Sequence, residues 1–228
     1  MAKEKTKKLY SVITGDVVKS SKLSLDQHKQ LIKVMRGCSK EISKVFPDAL
    51  KYEPALFRGD SWQLLIKKPE LAFSIALFYR AYLKAKMQLS SIEARMAISV
   101  GTVDLIESSF GIGDAYKISG KALDKKGKHK LKFVSDVIPN SSVIDLIIKN
   151  SDFISSRWTS NQCEIVLLAL QNMDQKTIAN KLRITQQAVS KQIDAAGWMI
   201  VADNITYFKS IVLGVSISIK TKKMMIRA

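Results

Sequence analysis

Strand-like and helical segments alternate up to about residue 137, and only helical signals follow to about residue 200, so the sequence predicts an α+β sheet domain followed by a small all-α domain. With 228 residues, 46% of them hydrophobic and only four prolines, the chain can bury one good core and a second, smaller one. The expected division is a sheet domain over residues 1–140, a helical domain over 141–203, and an apolar and basic tail over 204–228.

Leu9 to Thr14 (LYSVIT) is apolar and β-branched and stops at Gly15-Asp16, the pattern of a buried strand. Leu25, Leu31, Ile32, Met35, Ile42, Val45 and Phe46 mark one face of a long helix, with Ser24 to cap it and Pro47 beyond its end. Gly59-Asp60-Ser61 between Ala55–Arg58 and Trp62–Ile66 predicts a hairpin. Pro69-Glu70 introduces a second helix, Leu71 to Met87, and the strand Ala94 to Val100 ends at Gly101. After a glycine-punctuated loop, Ala115 to Leu123 reads as a helix and Leu131 to Val134 as a closing strand. Strand, helix, hairpin, helix, strand is the order of a ferredoxin-like or palm architecture, which brings the end of the first strand beside the hairpin turn. Asp16 and Asp60 then face each other. Carboxylates so placed can hold a divalent ion, Mg²⁺ or Mn²⁺, that bridges nucleotide phosphates; the plainer reading is two turn residues beside glycines.

The run Gln175 to Ile193, QKTIANKLRITQQAVSKQI, reads as two short helices and a tight turn. Ile178, Ala179, Leu182, Ile184, Val189 and Ile193 supply internal contacts, while Thr185 can cap the second helix. Gln186, Gln187, Ser190 and Lys191 occupy that helix's first turns and, with Thr185, are the candidate contacts to base edges and phosphates of double-stranded DNA. The segment resembles the helix-turn-helix of phage repressors and sigma-like bacterial regulators, with Arg183 where the turn glycine usually stands. The alternative is a helical subdomain that touches no DNA.

Thirty-seven Lys and Arg against 20 Asp and Glu leave a net charge of +17, a field that attracts polyanions. No apolar stretch reaches the roughly 20 residues of a membrane helix, and MAKEKTKKLYSVI runs into a strand rather than a signal region, so cytoplasmic residence is expected. Cys38 and Cys163 lie far apart without a CxxC, and His28 and His129 are the two histidines, so neither a disulfide framework nor a zinc site is suggested. Ile205 to Ile219 ends in an alternating Val215, Ile217, Ile219 pattern and reads as an edge strand or the contact of a homodimer.

Gly15-Asp16-Val17-Val18-Lys19-Ser20-Ser21 and Gly59-Asp60 resemble the two metal motifs of class III nucleotidyl cyclases. Arg95-Met96-Ala97-Ile98-Ser99-Val100-Gly101 resembles their "RIGI..G" strand, and Gly113-Asp114-Ala115-Tyr116 the start of their "GPAVN..AR" helix. The resemblance implies metal at Asp16 and Asp60 and nucleotide contacts from Lys117 and Lys121, which replace the cyclases' Asn and Arg; Lys19 replaces a glycine. Lysine cannot reproduce arginine's planar fork, so binding without turnover is implied. Over its full length, through ITGDVVKSSKL, LFRGDSWQLL, GDAYKISGKAL and the run Arg157 to Trp198, the chain is similar to the SatD family, which joins a cyclase-like half to a helix-turn-helix. The implied function is a DNA-binding transcriptional regulator with a degenerate cyclase-like domain. A divergent active cyclase and a non-enzymatic interaction scaffold are the alternatives.

Overall fold

The protein is described from a computed structural model covering residues 8–52, 55–57, 59–89, 92–107, 110–125 and 127–225, with backbone alone for 55–57, 105–107, 110 and 215–225. In chain order the elements are β1 (Leu9–Val17), α1 (Leu25–Val45), β2 (Ala55–Phe57), β3 (Ser61–Ile66), α2 (Ala72–Met87), β4 (Ala94–Thr102), β5 (Leu105–Glu107), β6 (Phe110–Ile112), α3 (Asp114–Asp124) and β7 (Leu131–Val134). Five helices follow: α4 (Ser141–Ser155), α5 (Ser160–Ala169), α6 (Gln175–Leu182), α7 (Gln186–Ala195) and α8 (Trp198–Met225).

The main sheet has the order β2-β3-β1-β4-β7, with β1 antiparallel to β3 and β4, and β7 parallel to β4. Its first four strands keep the ferredoxin-like order, with β3 between β2 and β1 and β4 on the other side of β1. β1 extends past the expected Thr14: Gly15 pairs with Trp62 and Met96, and Asp16 and Val17 continue the ladder. Glycine permits this, since a Cβ at residue 15 would lie 2.6 Å from Trp62 Cε2. Strand alternation then sorts the faces. Ile13, Val17, Leu64, Ile66, Met96 and Ile98 enter the core under α1 and α2, whereas Val12 and Leu65 meet Ala115 of α3 on the opposite face. α1 starts on the Ser24–Gln27 capping box and buries Leu31, Met35, Cys38 and Ile42. Residues 105–107 and 110–112, expected in a loop, pair as an antiparallel ribbon.

Residues beyond 140 share the sheet domain's core. Ile144, Ile148, Val166, Phe208 and Val212 all belong to it, and the Phe208 ring meets those of Phe133 and Phe73 at 5.5 and 5.8 Å. Of the two readings of Ile205–Ile219, edge strand or dimer contact, the edge strand is corrected: the whole segment lies in α8. Val201, Phe208 and Val212 are buried and Ile205 packs beside them, a helical spacing of four, three and four that overrides the alternation of Val215, Ile217 and Ile219.

A buried ionic network joins the two regions. Arg80 on α2 is fully buried; its Nη2 donates to Asp152 Oδ1 and its Nη1 to Ser155 Oγ, both at 2.6 Å. Its Nε lies 2.9 Å from Glu93 Oε1 but off the line of a hydrogen bond. Asp152 Oδ2 accepts from the Lys130 amide at 2.8 Å, and Lys84 Nζ donates to the Ser156 carbonyl at 2.6 Å. No helix among the described residues is long and apolar enough to cross a membrane.

Candidate functional site

The ladder sets Asp16 opposite both Ser61 and Arg95. The Val17 amide donates to the Asp60 carbonyl at 3.0 Å, so Asp16 and Asp60 are neighbours at the β1–β3 edge. Their side chains are already engaged. Arg95 Nε donates to Asp16 Oδ1 at 2.9 Å and Arg95 Nη2 donates to Asp16 Oδ2, a two-point fork. The hydrogen bond to Asp16 raises the Arg95 pKa above its ordinary value, against partial burial. Ser20 Oγ donates to Asp60 Oδ2 at 2.5 Å and Ser61 Oγ to Oδ1 at 3.2 Å.

On the same face Gln63 Nε2 donates to Thr14 Oγ1 at 3.0 Å, and Thr14 Oγ1 is 2.9 Å from Ser119 Oγ on α3. Lys132 Nζ donates to the Ala122 carbonyl at 3.0 Å and to the Lys125 carbonyl, closing the C-terminal end of α3. Burial first, then Arg95, lowers the Lys132 pKa. Lys117 and Lys121 are exposed on α3, while Arg95, Ser20 and Ser61 hold the carboxylates. Lys19 is exposed at φ 58°, in the left-handed region where glycine is favoured.

In this arrangement the acidic pair does not fit a divalent ion. Mg²⁺ needs free carboxylate oxygens at about 2.0–2.1 Å, and both oxygens of Asp16 carry a guanidinium. No cluster of three or more His, Cys, Asp or Glu suited to a metal occurs among the described residues. Burial pushes the Cys163 thiol up to about 12, and raises Cys38 as well, so neither is poised as a thiolate nucleophile.

The second region is the α5–α6–α7 unit. Ile165, Ile178, Ala179, Val189 and Ile193 form a small core of their own, with Leu182 and Trp198 packed beside it. Asp174 caps α6, its Oδ1 accepting from the Thr177 amide at 2.7 Å. That bond holds the Asp174 carboxyl below its ordinary pKa, so the cap's contribution is present above the unfolded-state value and lost as pH falls through the depressed one. Thr185 caps α7, accepting from the Ala188 amide at 3.1 Å, and Trp158 Nε1 donates to the Ala196 carbonyl at the helix's other end at 2.7 Å. Gln186, Gln187, Lys191 and the capping Thr185 are exposed, and Ser190 is half-buried. One expectation is corrected: Ile184, assigned an internal contact, is 41% exposed. The turn is closed instead by Arg183 at φ 57°, which lets the Ile184 amide donate to the Ala179 carbonyl at 3.1 Å. A left-handed non-glycine residue costs roughly 1–2 kcal/mol. Arg183→Gly is therefore expected to stabilise the protein by about 1 kcal/mol, seen as a higher urea midpoint at unchanged slope. A lower midpoint would mean that the arginine side chain holds the turn.

These features define an α+β protein with a palm-like mixed sheet and an appended helical unit. Residues 10–210 match the SatD family, and the chain belongs to that family. Among solved structures it is similar to the guanylyl cyclase Cya2, at 13% identity and a TM-score of 0.41 over 55% of this chain and 74% of that one. It is also similar to the catalytic core of a rhodopsin-guanylyl cyclase with converted specificity in complex with ATPalphaS, at 15% identity and a TM-score of 0.40 over 56% of this chain and 77% of that one. At these values the two likenesses carry no functional weight. No curated protein matches the chain.

Proposed function

We propose that the protein is a DNA-binding regulator in which α6 and α7 form a helix-turn-helix and the sheet domain carries a degenerate, ligand-responsive cyclase-like site. The observation that carries the DNA reading is the two-sided surface of α7. Val189 and Ile193 are buried against α5 and α6, while Gln186, Gln187 and Lys191 stand in solvent on a helix capped at its first turn. Glutamine can pair with adenine edges and lysine with guanine or phosphate, and the chain's charge of +17 supplies attraction independent of sequence. Asp16 and Asp60 act as a metal site only once Arg95 has released Asp16, and Lys117 and Lys121 are the proposed contacts for a nucleotide. A homodimer would double the reading helix in the usual way.

The test is selection of bound fragments from the source genome at near-physiological salt, followed by Gln187→Ala and Lys191→Ala on the enriched site. Each substitution is expected to weaken specific binding by roughly 1–3 kcal/mol with unchanged thermal unfolding. Recovery of no recurring site, or equal affinity in both variants, would overturn the assignment of α7.

A further inference from the structure

We propose that a groove between the sheet domain and the α5–α6 connection binds a small organic anion with an apolar body, such as an aromatic or medium-chain carboxylate. The groove holds about 610 Å³, within the roughly 300–1,000 Å³ of small-molecule sites. It is lined by the end of α1 with Phe46, Pro47, Lys68 and Leu71, and by Ala169–Met173, the stretch that leads into the Asp174 cap of α6. Trp198, Ala202 and Ile205 of α8 complete it.

Its chemistry is specific. Lys44, Lys68 and Lys209 line the groove, no described Asp or Glu does, and Glu41, which pairs with Lys44, stands outside the lining, so an entering anion meets a net positive wall. Lys68 spends one donor on the Pro47 carbonyl at 3.0 Å and keeps two. Lys44 pairs with Glu41 on its own helix, but that pair is solvent-exposed, and such pairs contribute little. Phe46, Leu71, Trp198 and Ile205 give the groove an apolar lining that inorganic phosphate would not use. The chain's own termini are poor occupants: residues 3–8 carry Lys3, Lys5, Lys7 and Lys8 against Glu4, and residues 220–227 carry Lys220, Lys222, Lys223 and Arg227 with no acid. Because the groove touches the connection that fixes α6, an occupant would favour one placement of α6 and α7. That regulatory consequence rests on the DNA reading; binding itself does not.

The experiment titrates the full chain with 8-anilinonaphthalene-1-sulfonate, an aromatic anion, and displaces it with decanoate. Wild type is expected to show one saturable site that decanoate empties. Lys44→Glu/Lys209→Glu is expected to weaken it at least tenfold, and Thr206→Trp, which fills the groove from exposed α8 surface, to abolish it. Cooperative melting retained in both variants shows that the fold is intact. A variant that melts without cooperativity is replaced by Lys209→Gln, for which a severalfold loss is expected. Absence of a saturable site, or equal affinity in the charge-altered variants, overturns the proposal. So does charge reversal that weakens duplex DNA but not the dye, which would make the groove part of a DNA footprint. Dye binding with no DNA binding would sink the regulator reading and leave the groove standing.

Discussion

Asp152→Ala is expected to destabilise the protein by about 3–5 kcal/mol, the range for removing one partner of a buried ion pair. Arg80 has no exposed surface, and the substitution takes away its 2.6 Å partner while also stripping the Lys130 amide of its acceptor. Glu93 remains 2.9 Å from Arg80 Nε, which keeps the loss from growing larger. Urea unfolding followed by circular dichroism measures it. Pairing Asp152→Leu with Arg80→Met is expected to recover part of the loss, because replacing both ions with apolar groups of similar volume is often near neutral. A loss below about 1 kcal/mol, the worth of an ordinary exposed pair, would show that water reaches the network.

Arg95→Gln is expected to convert Asp16 and Asp60 into a measurable Mn²⁺ site. In the wild type an incoming cation must displace the guanidinium that forks Asp16. Two like unit charges about 5 Å apart repel by on the order of 3 kcal/mol at an effective dielectric of about 20. Arg95 is 34% exposed, so solvent screens part of that repulsion. A gain of about tenfold, or on the order of 1.4 kcal/mol, remains as the expected effect. Electron paramagnetic resonance of free Mn²⁺ reads it directly, and Arg95→Gln/Asp60→Ala should lose the gain. Tight Mn²⁺ binding by wild type would mean that Arg95 yields readily. Equal, weak binding by wild type and Arg95→Gln would remove the metal reading of this pair.

The sheet and its helices were legible where local chemistry points one way. Ser24, read as the cap of the first long helix, does cap α1, in a box with Gln27. Gly59-Asp60 between apolar runs placed the β2–β3 hairpin, although Arg58 lies outside the described residues. Legibility failed where distant residues decide. The Arg80–Asp152 contact spans 72 positions and the Arg95–Asp16 contact 79, and no local pattern reports either. Arg95 was read as part of a strand motif, yet its pairing with Asp16 follows only from the β1–β4 register. α8 did carry a usable signal: Val201, Ile205, Phe208 and Val212 recur at helical spacing before the Val215–Ile219 alternation begins. Ile184 misled because turn residues are chosen for backbone geometry as much as for burial, and Arg183 supplies that geometry.

The Arg80 network also governs how this protein can be dissected. A fragment ending at residue 140 would retain Arg80 while losing Asp152 and Ser155, and would bare Phe73 and Phe133 where α8 now lays Phe208. The complementary piece would keep Asp152 with no cation to meet it and would expose the faces of α4 and α8 that now complete the sheet's core. Separate expression of the two halves would therefore report on damaged molecules. Assigning a role to either half requires side-chain changes within the intact chain, with the other half's property measured on the same sample as the check that nothing else has moved.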